Sequence, residues 1–162
     1  MNYEKIIDRY YPEDNELKRL LLVHSRQVAD RCSLIAKNHP ELKLDTAFLE
    51  EAAMLHDIGI FRCNAASIQC FGTEPYICHG SIGGQILRQE GLFVHAQVCE
   101  RHTGTGLTKQ QIISQNLPLD PDGIYEPDTM EEQVICYADK FYSKSHIDHV
   151  RSVVETAQSL EK

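Results

Sequence analysis

The chain has no dense run of lysine or arginine, no C-x-x-C pair and no apolar stretch approaching the length of a membrane span. Each absence removes a class of function. With 16 basic against 24 acidic residues the formal charge is −8, which argues against nucleic acid or an anionic membrane as the main partner. Cys32, Cys63, Cys70, Cys78, Cys99 and Cys136 are dispersed without framework spacing, so reduced thiols of a cytoplasmic protein are expected rather than a disulfide scaffold. Cys78 and Cys99 lie near histidines, but without a paired motif core packing is the better reading. The first fourteen residues are polar and charged and contain no signal-like apolar segment. Internal repeats, low-complexity tracts and strand-like alternation are also missing.

What is present is helical periodicity. A length of 162 residues at 42% hydrophobic composition suits one domain with a proper core, expected over 1–162 with its centre at about 17–145. From Glu16 to Lys37, Leu17, Leu20, Leu21, His24, Val28, Cys32 and Ile35 recur at steps of three and four. Asp45 or Thr46 is placed to cap a second helix running through Phe48, Leu49, Ala52, Ala53 and His56 to Gly59, which is placed to close it. The segment from Phe61 to Ile77 loses the pattern and reads as a loop long enough to cover a site. A third helix starts near His79 and stops near Gly91, and a short one spans Val94 to His102. Capping-box patterns at Thr108–Gln111 and Thr129–Glu132 open two more. Ile147, Val150, Val153, Val154, Ala157 and Leu160 suggest a last helix over 147–161. The fold class is therefore all-α, a helical bundle.

Polar residues that interrupt apolar stripes carry the functional information, because burying an imidazole or carboxylate without a partner is costly. His56-Asp57 stands at the end of the second helical pattern, in the run Met54-Leu55-His56-Asp57-Ile58-Gly59. Alone, such a pair reads more readily as an ion pair at a helix end. His24 lies mid-stripe in the first long helix, His79 opens the third, His102 ends the short one, and Asp139 lies inside the late capped helix. Histidine nitrogen and aspartate oxygen suit Fe, Mn, Co, Zn and Ni, and ligands spread over separate helices are what a site in a bundle core requires.

In that order, and with His56-Asp57-Ile58-Gly59 at its centre, the chain resembles the HD-domain superfamily, in the subgroup whose motif reads HDIG. The resemblance covers roughly Leu21 to Tyr142. It implies that His24, His56, Asp57 and Asp139 bind one metal, that His79 and His102 hold a second, and that Asp57 bridges the two. His79-Gly80, His102-Thr103-Gly104 and Ala138-Asp139-Lys140 also resemble bacterial HD hydrolases that cleave dinucleoside tetraphosphates. Two divalent or trivalent ions are implied, iron first, with Mn, Co, Zn or Ni as alternatives. One departure is that many HDIG hydrolases carry a basic residue directly after the glycine, where this chain has Ile60, with Arg62 two positions on.

Such a centre lowers the pKa of bound water and neutralises phosphate oxygens, so a metal-bound hydroxide attacking a phosphoester is the expected chemistry. The expected function is a phosphohydrolase acting on a small phosphorylated molecule, a nucleotide or dinucleotide, with no nucleic-acid or membrane partner. Asp57, Lys140 and Arg62 are the candidate catalytic residues, and Thr103, Arg101 and Lys140 the candidate substrate contacts. His95 is a candidate for supporting a ligand from behind. Two alternatives stay open: an HD-type di-iron oxygenase, and a non-catalytic module that binds metal or nucleotide.

Overall fold

Asn2 and Asn15 accept hydrogen bonds from backbone amides three residues on, and so start α1 (Tyr3–Tyr10) and α2 (Glu16–Asn38). Asp45 does the same for α3 (Thr46–Leu55). Next come α4 (His79–Gln89) and α5 (Phe93–Arg101), separated by a turn in which Gly91 has a φ of +77°, a conformation that favours glycine. Thr108 and Thr129 form full capping boxes with Gln111 and Glu132 at the heads of α6 (Lys109–Ser114) and α7 (Met130–Asp139). The computed structural model describes residues 1–160, and α8 (Val153–Leu160) closes that span.

The fold is all-α, as the periodicity requires. α2 packs on α3 and α7, and α4 on α5. Leu20, Leu21, Val28 and Cys32 of α2, Leu49, Ala53 and Leu55 of α3, and Ile135 and Ala138 of α7 form one buried cluster. Phe141, fully buried just beyond α7, lies under the Arg31 guanidinium at 3.7 Å from its ring centroid, a cation–π contact that ties α2 to the end of α7.

Two small antiparallel hairpins depart from the helical expectation. β1 (Asn64–Ala65) pairs with β2 (Cys70–Phe71) inside the segment read as a loop. β3 (Tyr142–Ser143) pairs with β4 (His146–Val150), aligning Tyr142 with Val150 and Ser143 with His146. The helix expected over 147–161 is thereby corrected: its first residues are strand, its helix begins only at Val153, and residue 161 lies outside the described residues. The reason is a cap that helical spacing concealed. Ser152 Oγ accepts from the Glu155 amide and Glu155 Oε2 accepts from the Ser152 amide, a capping box that starts the helix there. Gln27 meanwhile donates to the Ile147 carbonyl and holds β4 against α2.

α1 was not legible as a helix, yet Ile6, Ile7 and Tyr11 belong to the core, which therefore begins well before residue 17. The Tyr11 hydroxyl donates to the Ile58 carbonyl at 2.9 Å, fixing the turn that carries His56 and Asp57.

Gly59 differs from expectation in mechanism. Its φ is −82°, so it does not close α3 through a left-handed conformation. It is needed for space: a Cβ there would collide with the His79 carbonyl oxygen and the Gly83 backbone nitrogen. Gly59→Ala is expected to lower unfolding free energy by about 1–3 kcal/mol through overpacking, read by urea denaturation. A change confined to a few tenths of a kcal/mol would show that α4 can step back.

Candidate metal centre

His56 and His102 each follow the last residue of a helix, α3 and α5, and His79 opens α4 after a 3-10 turn. In each case Nδ1 faces the carbonyl three residues earlier: His56 with Ala53 at 2.6 Å, His79 with Tyr76 at 2.7 Å, His102 with Cys99 at 2.8 Å. A carbonyl accepts only, so Nδ1 carries a proton and Nε2 is the nitrogen left to offer a lone pair to a cation. The three lone pairs converge. His79 Nε2 and His102 Nε2 stand 3.0 Å apart and each lies 3.4 Å from Asp57 Oδ1. On the other side of the carboxylate, His24 Nε2 and His56 Nε2 are both 3.2 Å from Asp57 Oδ2. Asp139 Oδ1, from the last turn of α7, closes that side at 3.0 Å from His24 Nε2 and 3.5 Å from His56 Nε2.

Two groups result, His24, His56, Asp57 and Asp139, and Asp57, His79 and His102, each with ligand atoms within 4.8 Å of one another and all buried. Asp57 alone is common to both. His24 Nε2, His56 Nε2 and Asp57 Oδ1 are buried with no hydrogen-bond partner. Leaving a buried polar atom unsatisfied costs about 1–3 kcal/mol, so the three together are a sizeable share of the net stability of a domain, about 5–15 kcal/mol. A divalent cation among them removes that cost, and the nitrogen and oxygen donor set fits one.

The electrostatics agree in sign. Burial opposes charge on His56, but Asp57 and Asp139 outweigh it and hold the imidazole up at about 9. Burial and the neighbouring His102 push His79 down to about 3. Burial also opposes ionisation of Asp57, and Lys144 with the surrounding histidines overrides it, keeping the carboxylate well below its usual range. Asp139 is kept low in the same way, against burial, chiefly by Lys140. The cluster is a pair of buried carboxylates held ionised by the positive charge around them.

A cavity of about 300 Å³ opens beside Asp139, lined among others by Ser67, Tyr76, Lys140, Tyr142, Lys144 and Arg151. Of the candidate substrate contacts the structure brings only Lys140 to it. The Lys140 ammonium donates to Asp139 Oδ2 at 2.6 Å and to the His102 carbonyl at 3.1 Å. Arg62 is exposed and lies over the Phe61 ring at 5.7 Å from its centroid, away from the cavity. Arg101 is buried and donates twice to Glu132, at 2.9 and 3.0 Å, so its charge is committed to the structure. Thr103 packs near Gly80, and its carbonyl receives the Gly106 amide; it does not line the cavity. His95 pairs with Glu51 at 3.2 Å instead of backing a ligand. The Cys99 and Cys78 thiols face the Leu55 and Pro118 carbonyls, not the cluster.

Sequence reasoning missed Lys144 and Arg151. Lys144 Nζ lies 2.6 Å from Asp57 Oδ2 and is largely buried. Nothing local in the sequence marks it, because the β3–β4 turn that aims it inward precedes a stretch whose apolar spacing reads as helix.

The HD domain family matches residues 21–143 of the chain. A tRNA (cytidine(56)-2'-O)-methyltransferase of Picrophilus torridus is 24% identical over 162 residues, covering 96% of this chain and 43% of that protein. One from Thermoplasma volcanium is 29% identical over 137 residues, covering 83% and 35%. An uncharacterized protein of Methanocaldococcus jannaschii is 32% identical over 125 residues, covering 71% and 66%. The chain thus spans less than half the length of the two methyltransferases. No solved structure matches it significantly.

Metal analysis of the purified protein is expected to find a divalent transition ion that Asp57→Ala removes altogether, while a His79→Ala, His102→Ala double variant keeps the share held by the four-residue group. Saturation at 100 times Kd stabilises by about 2.7 kcal/mol, so chelation is expected to lower Tm by about 5–10 °C for a chain of this size. Undiminished metal in Asp57→Ala would place the ion elsewhere.

Proposed function

The chain belongs to the HD-domain family, and from that premise we propose that it is a metal-dependent phosphohydrolase of a small phosphorylated substrate. The observation that carries the reading is the convergence of four buried histidines and two carboxylates beside a cavity with three cationic side chains, Lys140, Lys144 and Arg151, in a chain of net charge −8. A cationic cavity in an acidic protein selects for a compact anion.

His24, His56, Asp57 and Asp139 would hold one ion, and His79, His102 and Asp57 a second, with iron, manganese, cobalt, zinc and nickel all compatible with the donors. Bound there, such ions supply Lewis-acid polarisation of phosphoryl oxygens and bring the pKa of water toward neutrality. The chain's own residues do the rest. Lys140 uses two of its three donors on Asp139 and His102, which fixes the ammonium at the cavity wall with one donor to spare for a phosphoryl oxygen. Arg151 donates to the Lys140 carbonyl at 3.2 Å, leaving most of its planar fork for the same anion. Tyr76, stacked on His79 with ring centroids 4.6 Å apart, and Tyr142 wall the site against water. A cavity of about 300 Å³ accommodates a phosphoryl group with a small appendage, so the larger part of a nucleotide or dinucleotide would extend through its mouth.

The methyl transfer named for two relatives is not carried over. The chain covers less than half of those proteins, and its acidity disfavours RNA as the principal ligand.

A panel of phosphomonoesters, phosphodiesters and dinucleoside polyphosphates, assayed with Fe, Mn and Co, is expected to show phosphate release on at least one compound. Lys140→Met is expected to lower kcat roughly 10²-fold, the scale of one preorganised electrostatic contact, while Arg62→Ala leaves kcat/KM within about twofold because Arg62 is remote. Absence of hydrolysis across the panel with a loaded site sinks the proposal, and oxygen uptake in its place would move the assignment to the di-iron oxygenase.

A further inference from the structure

Lys144 stands in a different relation to the cluster from Lys140. Lys140 contacts Asp139 Oδ2, whereas the ligand atom facing His24 and His56 is Asp139 Oδ1. Lys144 contacts Asp57 Oδ2, the same oxygen that lies 3.2 Å from both His24 Nε2 and His56 Nε2. One lysine backs a ligand; the other sits on a ligand atom.

Charge makes the second position untenable in a loaded site. Asp57 and Asp139 are already balanced by the two ammonium groups at 2.6 Å. A divalent ion on Asp57 Oδ2 would face an ammonium at that same oxygen, in a buried setting where like-charge repulsion is poorly screened. The side chain has room to leave. Lys144 is at the tip of the β3–β4 hairpin and borders two cavities, the one of about 300 Å³ beside Asp139 and another of about 550 Å³ that carries the acidic residues Glu16 and Asp148. Rotation of a flexible four-carbon stem relocates the charge without moving the helices that hold the ligands.

We infer that Lys144 is a displaceable placeholder cation of the four-residue site: its ammonium holds Asp57 Oδ2 until a metal ion takes that oxygen, and loading turns the side chain into a flanking cavity. The inference rests on the reading of the cluster as a metal site. It makes Lys144 a positioning residue for Asp57, keeping a buried carboxylate paired in the unloaded protein at the expense of metal affinity.

The test uses the full chain freed of metal by chelation and titrated with Mn²⁺ against a chromophoric competitor. Lys144→Met is expected to bind the first ion at least tenfold more tightly than wild type while its unloaded form melts at a lower temperature. Lys140→Met, which removes a nearby charge from an oxygen outside the ligand set, is expected to change affinity less than threefold, and Lys144→Arg to retain the wild-type suppression. A lysine with a merely structural role would weaken binding when lost, so equal or weaker affinity in Lys144→Met overturns the inference. A second readout needs no variant: amine acetylation followed by mass spectrometry should find Lys144 protected in the unloaded wild type and several-fold more reactive after Mn²⁺. Unchanged protection overturns the inference. If wild type takes up no metal at all, the metal reading itself fails and the inference with it; if wild type binds Mn²⁺ and only the Lys144 results fail, the metal reading stands.

Discussion

Everything in this structure answers to the facing of buried lone pairs. Three histidines donate Nδ1–H to the carbonyl three residues back, and that local bond leaves each Nε2 aimed at a common centre where other acceptors already stand. The same bond solves a second problem. Carbonyls in the last turn of a helix lack intrahelical partners, and those of Ala53 and Cys99, near the ends of α3 and α5, find theirs in the imidazoles of His56 and His102. Ligand orientation and helix termination are therefore a single interaction, and a substitution that disturbs one disturbs the other.

That arrangement demands close helices. His79 and His102 come from α4 and α5, and their Nε2 atoms reach 3.0 Å only because the backbones approach nearly to contact. Gly80 lies against the Cys99 carbonyl region and Gly59 against the His79 carbonyl, with no space for a Cβ at either position. The fourth residue of the His-Asp-Ile-Gly run is thus part of the candidate metal centre's geometry although it offers no ligand. Tyr11 completes the clamp from α1 by bonding the Ile58 carbonyl, so a helix at the edge of the fold also bears on the centre.

The residues that cluster were legible because burial makes a polar interruption conspicuous: His24 amid leucines and Asp139 amid Val134, Ile135 and Ala138 stand out as a set, and the structure brings them together. The helices that carry them were legible from periodicity and from side-chain caps. What failed was local reading of charge. Arg101 resembled a substrate contact because Glu132, its buried partner, is 31 residues away and doubles as a capping residue. Arg62 is adjacent to the motif in sequence but points across Phe61 to solvent. Lys144 and Arg151 escaped notice because valine and isoleucine at helical spacing masked a hairpin, and only that hairpin turns Lys144 toward Asp57. Ser152 and Glu155 carried the missing signal, a capping box that contradicts helix before Val153.

Charge balance links the two halves of the proposed site. Without metal, the ammonium groups of Lys144 and Lys140 offset the carboxylates of Asp57 and Asp139, and the Arg151 guanidinium is the excess cationic charge of the cavity wall. Once cations satisfy the carboxylates, the ammonium and guanidinium charges along the wall are left in excess, in surroundings where burial strengthens every interaction they make. In the proposed function the anion would then meet the charge that loading frees at Lys144, beside Lys140, which stays on Asp139 Oδ2. Under the proposed function, metal first and substrate second follows from this balance, with no conformational change larger than a side-chain rotation.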